Sequence, residues 1–258
     1  MPSIFNQTYG LSLLTFGFFI AVALLAGIYM FRDAAKTTGC DPQRIDGLCI
    51  WMLIAAIFGA RLFYFINHPD AMADGVIELL RVWNGGVSLT GGAAVAAVVG
   101  FGYTRSFNMP ILRTLDAFAP AIAIGQFFTW LGCFFSGFCR KLPADGTWDA
   151  ATILNNPGAA PQVQLHPTAV FIAAGHFVIF GILLLARQRR RFSGHTFWLY
   201  VLMVAFLGLV VGIISAGNAT GMFIGLPPEI SVYAVLVVVA AIALLILRRR
   251  GKRPEGVK

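Results

Sequence analysis

Long apolar runs separated by short polar stretches set the pattern of this chain. Seven of them extend about 18 residues or more with few or no charges, at roughly 11–31, 48–67, 87–103, 114–138, 166–186, 196–215 and 230–247. A helix rises 1.5 Å per residue, so about 20 apolar residues cross the ~30 Å hydrocarbon core of a bilayer. Apolarity on every face, rather than along one stripe, reads as a helix surrounded by lipid. The pattern predicts an all-α, polytopic membrane bundle of about seven transmembrane helices, in a single domain over residues 1–258. The first run does not read as a signal peptide. No basic residue precedes it, and its apolar stretch is too long.

Composition agrees with that picture. The chain is 58% hydrophobic and 12% charged, whereas a water-soluble domain carries about 25% charged residues. The charges also sort by side. With a cytoplasmic C-terminal tail, 248–258, seven spans put the N-terminus on the outer side. Arg32, Lys36, Arg44, Arg105, Arg113, Arg187, Arg189, Arg190, Arg191 and six residues of the tail then face the cytoplasm, fifteen of the 19 Lys and Arg. Arg81, Arg140 and Lys141 stay outside, and Arg61 lies within a span. This is the positive-inside distribution. The net charge of +8 thus belongs to loops that meet anionic lipid heads. It is spread over four loops without a recognition motif, which argues against a nucleic-acid partner.

Two outer loops, 68–86 and 139–165, are long enough to fold over the membrane surface. The first contains VIELLRVW, a half-apolar helix suited to the interface. The second is rich in Pro, Gly, Asn and Ala and reads as a loop. Cys133 and Cys139 stand six residues apart in WLGCFFSGFCRK, and Cys40 and Cys49 lie near the other end of the second span. There is no Cys-x-x-Cys and no His pair at metal-ligand spacing, so no metal site is expected. Small buried thiols that let helices approach are the leading reading of the cysteines. A Cys133–Cys139 disulfide is the alternative.

Polar residues inside the spans carry more information, because an ion in hydrocarbon is costly. Arg61, in IFGARLFYFIN, either snorkels to the outer surface or faces an anionic ligand. Asp116, near the start of the fourth span, suits a helix N-terminus. Thr90, Gly91 and Gly92, in NGGVSLTGG, open the third span. The glycines permit close helix approach, and their backbone N–H groups could hold an anion. His68 reads as a turn residue and His176 as a helix-interior histidine bonded to a neighbour.

Taken together, these stretches resemble a known family. GARLFYFINHPDAMADGVIELLRVWNGGVSLTGG is similar to the hallmark region of the bacterial prolipoprotein diacylglyceryl transferases. In that family a Gly-Arg span is followed by a loop and an Arg-(Val/Ile)-Trp-x-Gly-Gly-(Leu/Met)-Ser-Phe-His-Gly-Gly stretch. Here the stretch runs from Arg81 to Gly92, with Thr90 at the histidine. Tyr9-Gly10-Leu11 resembles the family's entry to the first span, LDAFAPAIAIGQ its fourth-span motif, and LHPT, 165–168, its opening of the fifth. The resemblance covers about residues 9 to 245.

It implies transfer of a diacylglyceryl group from phosphatidylglycerol, or another anionic phospholipid, to the lipobox cysteine thiol of a preprolipoprotein signal peptide. The products are a thioether and glycerol phosphate, made in the bacterial inner membrane without a metal or organic cofactor. It places phosphate or phospholipid binding at Arg61, Arg81, Gly85, Gly86, Thr90, Gly91 and Gly92, and Arg140, with Lys141, lies on the right side to meet the same anionic headgroup. Tyr9 and His166 fall in assisting catalytic positions. The N-terminus and the two long loops become periplasmic. The chain also departs from the family pattern. Trp130 stands at a motif arginine, Cys133 and Ser136 at asparagines, Phe138 at a glutamate, and Phe171-Ile172 at Tyr-Glu. AFLGLVVGIIS, 205–215, lacks the Arg-x-x-x-Glu pair. The alternative function is therefore a catalytically impaired paralogue that binds phospholipid or lipoprotein without turnover. A small-solute transporter is disfavoured, because no inverted repeat and no matched pair of broken helices is visible.

Overall fold

The structure is a computed structural model that describes residues 4–69, 86–136, 147–148, 167–188, 192–215 and 228–251. Seven helices account for nearly all of them: α1 (Ile4–Thr38), α2 (Pro42–Asn67), α3 (Leu89–Ser106), α4 (Ile111–Ser136), α5 (Pro167–Gln188), α6 (His195–Ser215) and α7 (Pro228–Gly251). Two short strands, β1 (Val87–Ser88) and β2 (Thr147–Trp148), pair antiparallel, with Val87 opposite Trp148 and Ser88 opposite Thr147.

Six helices are long and apolar enough to cross a membrane: Leu14–Thr37, Pro42–Asn67, Ile111–Ser136, Ala169–Gln188, His195–Ile213 and Ser231–Arg249. The chain is therefore a multi-pass, all-α membrane protein. The expected seventh span, 87–103, corresponds to α3, which is not among the six. Its four glycines, with Tyr103, Thr104 and Arg105, lower its hydropathy below that of the others. Exposed apolar side chains such as Phe18, Leu25 and Tyr29 on α1 and Val235, Val239 and Ile242 on α7 make a surface that only lipid can solvate.

The chain divides into two compact units. The first comprises Met1–Gly17, Gln43–Met109 and Cys133–His166, and the second Phe18–Pro42, Pro110–Gly132 and Pro167–Lys258. The first is organised around α2 and α3, which run antiparallel with their backbones nearly touching. A Cβ on Gly59 would lie 2.8 Å from the Gly91 carbonyl oxygen, and one on Gly92 2.9 Å from that of Ala56. Gly100 faces Met52, and Gly47 faces Tyr103. In lipid no hydrophobic drive brings helices together, so small residues that let backbones approach supply the packing.

The second unit uses the same device where α1 crosses α4. Gly27 faces the carbonyl of Ala121 and Gly125 that of Ala23, with the Phe31 and Phe118 rings in tilted contact alongside, 5.1 Å between centroids. Ala119 and Ala123 of α4, with Ile179 and Leu183 of α5, form its core beneath Phe197, Tyr200 and Met203 of α6. Gly208 of α6 lies against the Tyr233 ring of α7. Arg187, at the end of α5, donates to the Asp33 carboxylate at 2.9 Å and to the Thr37 hydroxyl at 2.8 Å on α1.

Asp116 sits in α4 four residues before Pro120, whose ring nitrogen has no proton for the Asp116 carbonyl. Its side chain is buried. One carboxylate oxygen accepts from Gly194 N–H at 2.7 Å and the other from Phe197 N–H at 2.9 Å. The sequence pointed Asp116 to the start of its own helix, α4; its carboxylate instead serves the start of α6, which only the folded unit brings to it.

Candidate functional site

Beyond Asp46, α2 carries a single ionic residue, Arg61. Its side chain is 2% exposed, so the arginine does not snorkel. One guanidinium nitrogen donates to the carbonyl of Gly86 at 2.8 Å. The guanidinium carbon lies 5.0 Å from the centroid of Phe65, one turn further along the same face. That spacing is within cation–π range.

The chain from Gly86 to Gly92 is built against this arginine step by step. Gly86 has φ +73°, in the left-handed region that a side chain disfavours. A Cβ there would come within 2.5 Å of the Tyr64 ring. Val87 and Ser88 then form β1. Ser88, fully buried and in an extended conformation, is the N-cap of α3. Its hydroxyl accepts from Gly91 N–H at 3.3 Å and bonds the Thr90 hydroxyl at 3.0 Å. Gly91 and Gly92 follow, and both press on α2.

The electrostatics of this corner are lopsided. α2 places an arginine at each end of α3. Arg44 donates to the carbonyl of Phe107, the C-cap residue, at 2.7 Å, where a cation matches the negative end of the helix dipole. Arg61 is held at the other end, two residues before the N-cap, where the dipole is already positive. Guanidinium and helix N-terminus add rather than cancel, and their sum favours an anion.

Among the residues singled out from the sequence, the structure brings together Arg61, Gly86, Thr90, Gly91 and Gly92. Thr90 is exposed on the first turn of α3. The glycines at 91 and 92 serve the helix crossing, and the N–H of Gly91 is committed to Ser88. Tyr9 lies on α1, but its side chain is outside the described residues, as are Arg81, Gly85, Arg140 and His166 entirely. Sequence reasoning passed over Ser88, Tyr64 and Gly59. A serine directly before an apolar helix is an N-cap signal and could have marked Ser88. Nothing local marked the other two.

The remaining polar groups resolve simply. His68 stacks on Tyr64 at the end of α2, 4.7 Å between centroids, with its Nδ1 3.2 Å from the Tyr64 carbonyl. His176 places its Nδ1 2.9 Å from the carbonyl of Ile172 one turn back, as expected of a helix-interior histidine. Cys40 and Cys49 are in no disulfide, and Cys40 is buried beside the Thr114 hydroxyl at 3.8 Å. Cys133 is disulfide-bonded, which replaces the buried-thiol reading at that position. Cys139 lies outside the described residues. No cluster of three or more His, Cys, Asp or Glu that could hold a metal occurs among the described residues.

Comparison with known proteins converges on one family. A sequence model of the prolipoprotein diacylglyceryl transferases matches residues 2–247. A protein of Finegoldia magna named phosphatidylglycerol–prolipoprotein diacylglyceryl transferase is 25% identical over 247 residues, 95% of each chain. One of the same name from Clostridium tetani is 28% identical over 207 residues, 79% of this chain and 81% of that one. A third, from Synechocystis, is 27% identical over 183 residues, 69% of this chain and 64% of its own. With nearly its whole length matched, the chain belongs to the prolipoprotein diacylglyceryl transferase family.

Proposed function

We propose that this protein transfers a diacylglyceryl group from phosphatidylglycerol to the lipobox cysteine of a preprolipoprotein in the bacterial inner membrane. The observation that carries the proposal is the inward-held Arg61 at the N-terminal end of α3, in a chain whose family handles an anionic phospholipid. The cysteine thiolate attacks the glyceryl carbon bonded to the phosphate oxygen. The carbon–sulfur bond forms and the carbon–oxygen bond breaks. The bonding pair leaves with glycerol phosphate, and the thiol proton passes to a base or to water. Negative charge grows on the departing phosphate, so fixed donors there lower the barrier. Removal of one such donor costs about 2.7–4 kcal/mol.

In this reading Arg61 holds the headgroup phosphate, aided by the first-turn N–H groups of α3 other than that of Gly91 and by the Thr90 hydroxyl. Gly85, Gly86, Gly91 and Gly92 allow the backbone to come close. Arg81 and Arg140 add cationic donors from the outer loops, and Tyr9 and His166 assist proton movement. The chain itself supplies the chemistry, with no metal or organic cofactor. The N-terminus faces the periplasm and the basic tail the cytoplasm. Arg44 and Arg105, at the opposite end of the α2–α3 hairpin from Arg61, support that orientation.

One observation favours the second reading. Trp130 is half-buried in α4 where the resemblance calls for an arginine, and α6 carries no charge after His195. A site short of those donors binds lipid more readily than it turns it over. Purified protein incubated with phosphatidylglycerol labelled in its acyl chains and a lipobox peptide separates the two. The transferase reading expects labelled peptide and released glycerol phosphate. Saturable phosphatidylglycerol binding with unmodified peptide establishes the binding paralogue instead.

A further inference from the structure

We infer that Tyr64 is a positioning residue for the anion site, its ring fixing the carbonyl that holds Arg61. The inference rests on the reading of Arg61 as the headgroup cation and deepens it. Tyr64 is buried one turn beyond Ala60 on α2. Its ring packs against the Phe65 ring edge-on at 5.6 Å and the His68 ring stacked at 4.7 Å. Gly86 lies directly on this ring. A Cβ at Gly86 would meet Tyr64 Cε1, Cζ and Cδ1 at 2.5, 2.6 and 2.9 Å.

The ring therefore occupies the volume a side chain at position 86 would need. It holds that backbone in its left-handed conformation and points the carbonyl at Arg61. The same segment runs directly into β1 and the Ser88 cap. A flat, immobilised ring is thus the floor on which one donor of the guanidinium and the start of α3 are registered together. Its effect passes through Gly86 to Arg61, which distinguishes it from ordinary core filling.

The test is a double-mutant cycle on the full-length protein in mixed micelles of phosphatidylglycerol and phosphatidylcholine. The readouts are phosphatidylglycerol affinity and, for transfer to a lipobox peptide, KM and kcat separately. Tyr64→Ala weakens phosphatidylglycerol affinity on the order of 10-fold, the scale of one hydrogen bond to a charged group. It does nothing further in an Arg61→Ala background. Tyr64→Phe keeps the ring and restores affinity close to the wild type. Gly86→Ala reaches the same contact from the other side without opening a core cavity, and serves if Tyr64→Ala does not fold. It weakens affinity and is also silent once Arg61 is gone.

Equal losses from Tyr64→Ala with and without Arg61 overturn the inference. So does a Tyr64→Phe protein as weak as Tyr64→Ala. Wild-type protein that binds phosphatidylglycerol without transfer sinks the transferase reading alone, and the affinity cycle still decides Tyr64. Wild-type protein with no preference for phosphatidylglycerol overturns both.

Discussion

Two glycines on one helix make a sharp contrast. Gly91 is packed into the α2–α3 crossing, while Gly102, eleven residues on, has nothing within 4 Å of where a Cβ would stand. In Gly91→Ala the new methyl meets the Gly59 carbonyl oxygen at 2.8 Å and collides with Phe63, whereas ordinary contact begins at 3.4 Å, so the two backbones must part by about 0.6 Å. Overpacking of this kind costs about 1–3 kcal/mol. The displacement falls near the Arg61–Gly86 bond, so affinity for phosphatidylglycerol falls as well. Gly102→Ala meets open space and gains helix propensity, worth up to about 1 kcal/mol. Thermal or denaturant unfolding of both variants in one detergent, with KM for phosphatidylglycerol, checks the pair. A Gly91→Ala protein as stable as the wild type refutes the backbone-contact argument. So does a Gly102→Ala protein that loses as much as Gly91→Ala.

Asp116→Ala takes the acceptor from the N–H groups of Gly194, just before α6, and Phe197, in its first turn, and each bond to a charged group is worth about 1.5–3 kcal/mol, so unfolding free energy should fall by about 3–6 kcal/mol. Asp116→Asn keeps one acceptor oxygen and should fall between, as chemical unfolding in detergent will show. Arg187→Ala removes an ion pair whose Asp33 partner is 43% exposed, so it costs only about 0.5–1 kcal/mol. A loss several times larger in the same assay would mean that the bonds to Thr37 and the Asp33 carbonyl matter more than the charge.

The bundle was legible because lipid solvation imposes a simple rule, long apolar runs for crossing helices, and four of the six spans fall within a few residues of where apolarity and length alone put them. The other two run six residues past their apolar stretch at one end: α1 continues through Arg32, Asp33 and Lys36, and α2 starts at Pro42 and carries Arg44 and Asp46 before its apolar run. α3 was harder. Gly91 and Gly92 were read as packing devices, and they are, but the glycines of this helix also lower the hydropathy by which a span is recognised. At the site, Arg61 stood out because a charge in an apolar run is conspicuous. Tyr64 did not, because an aromatic in a membrane helix is ordinary until Gly86 is laid upon it from 22 residues away. Asp116 shows the same limit. Its role as a cap was readable, but its recipient is α6, 78 residues on, and only tertiary structure makes that choice.

The central claim is that a guanidinium at the N-terminal end of α3 carries the phospholipid phosphate. The most direct measurement is the initial rate of diacylglyceryl transfer to a lipobox peptide by Arg61→Ala, with Arg61→Lys alongside. The account predicts a loss of about 100- to 1000-fold for Arg61→Ala, the scale of one preorganised donor. It predicts partial recovery with lysine, which restores the charge without the forked geometry. An Arg61→Ala protein that transfers at the wild-type rate contradicts it.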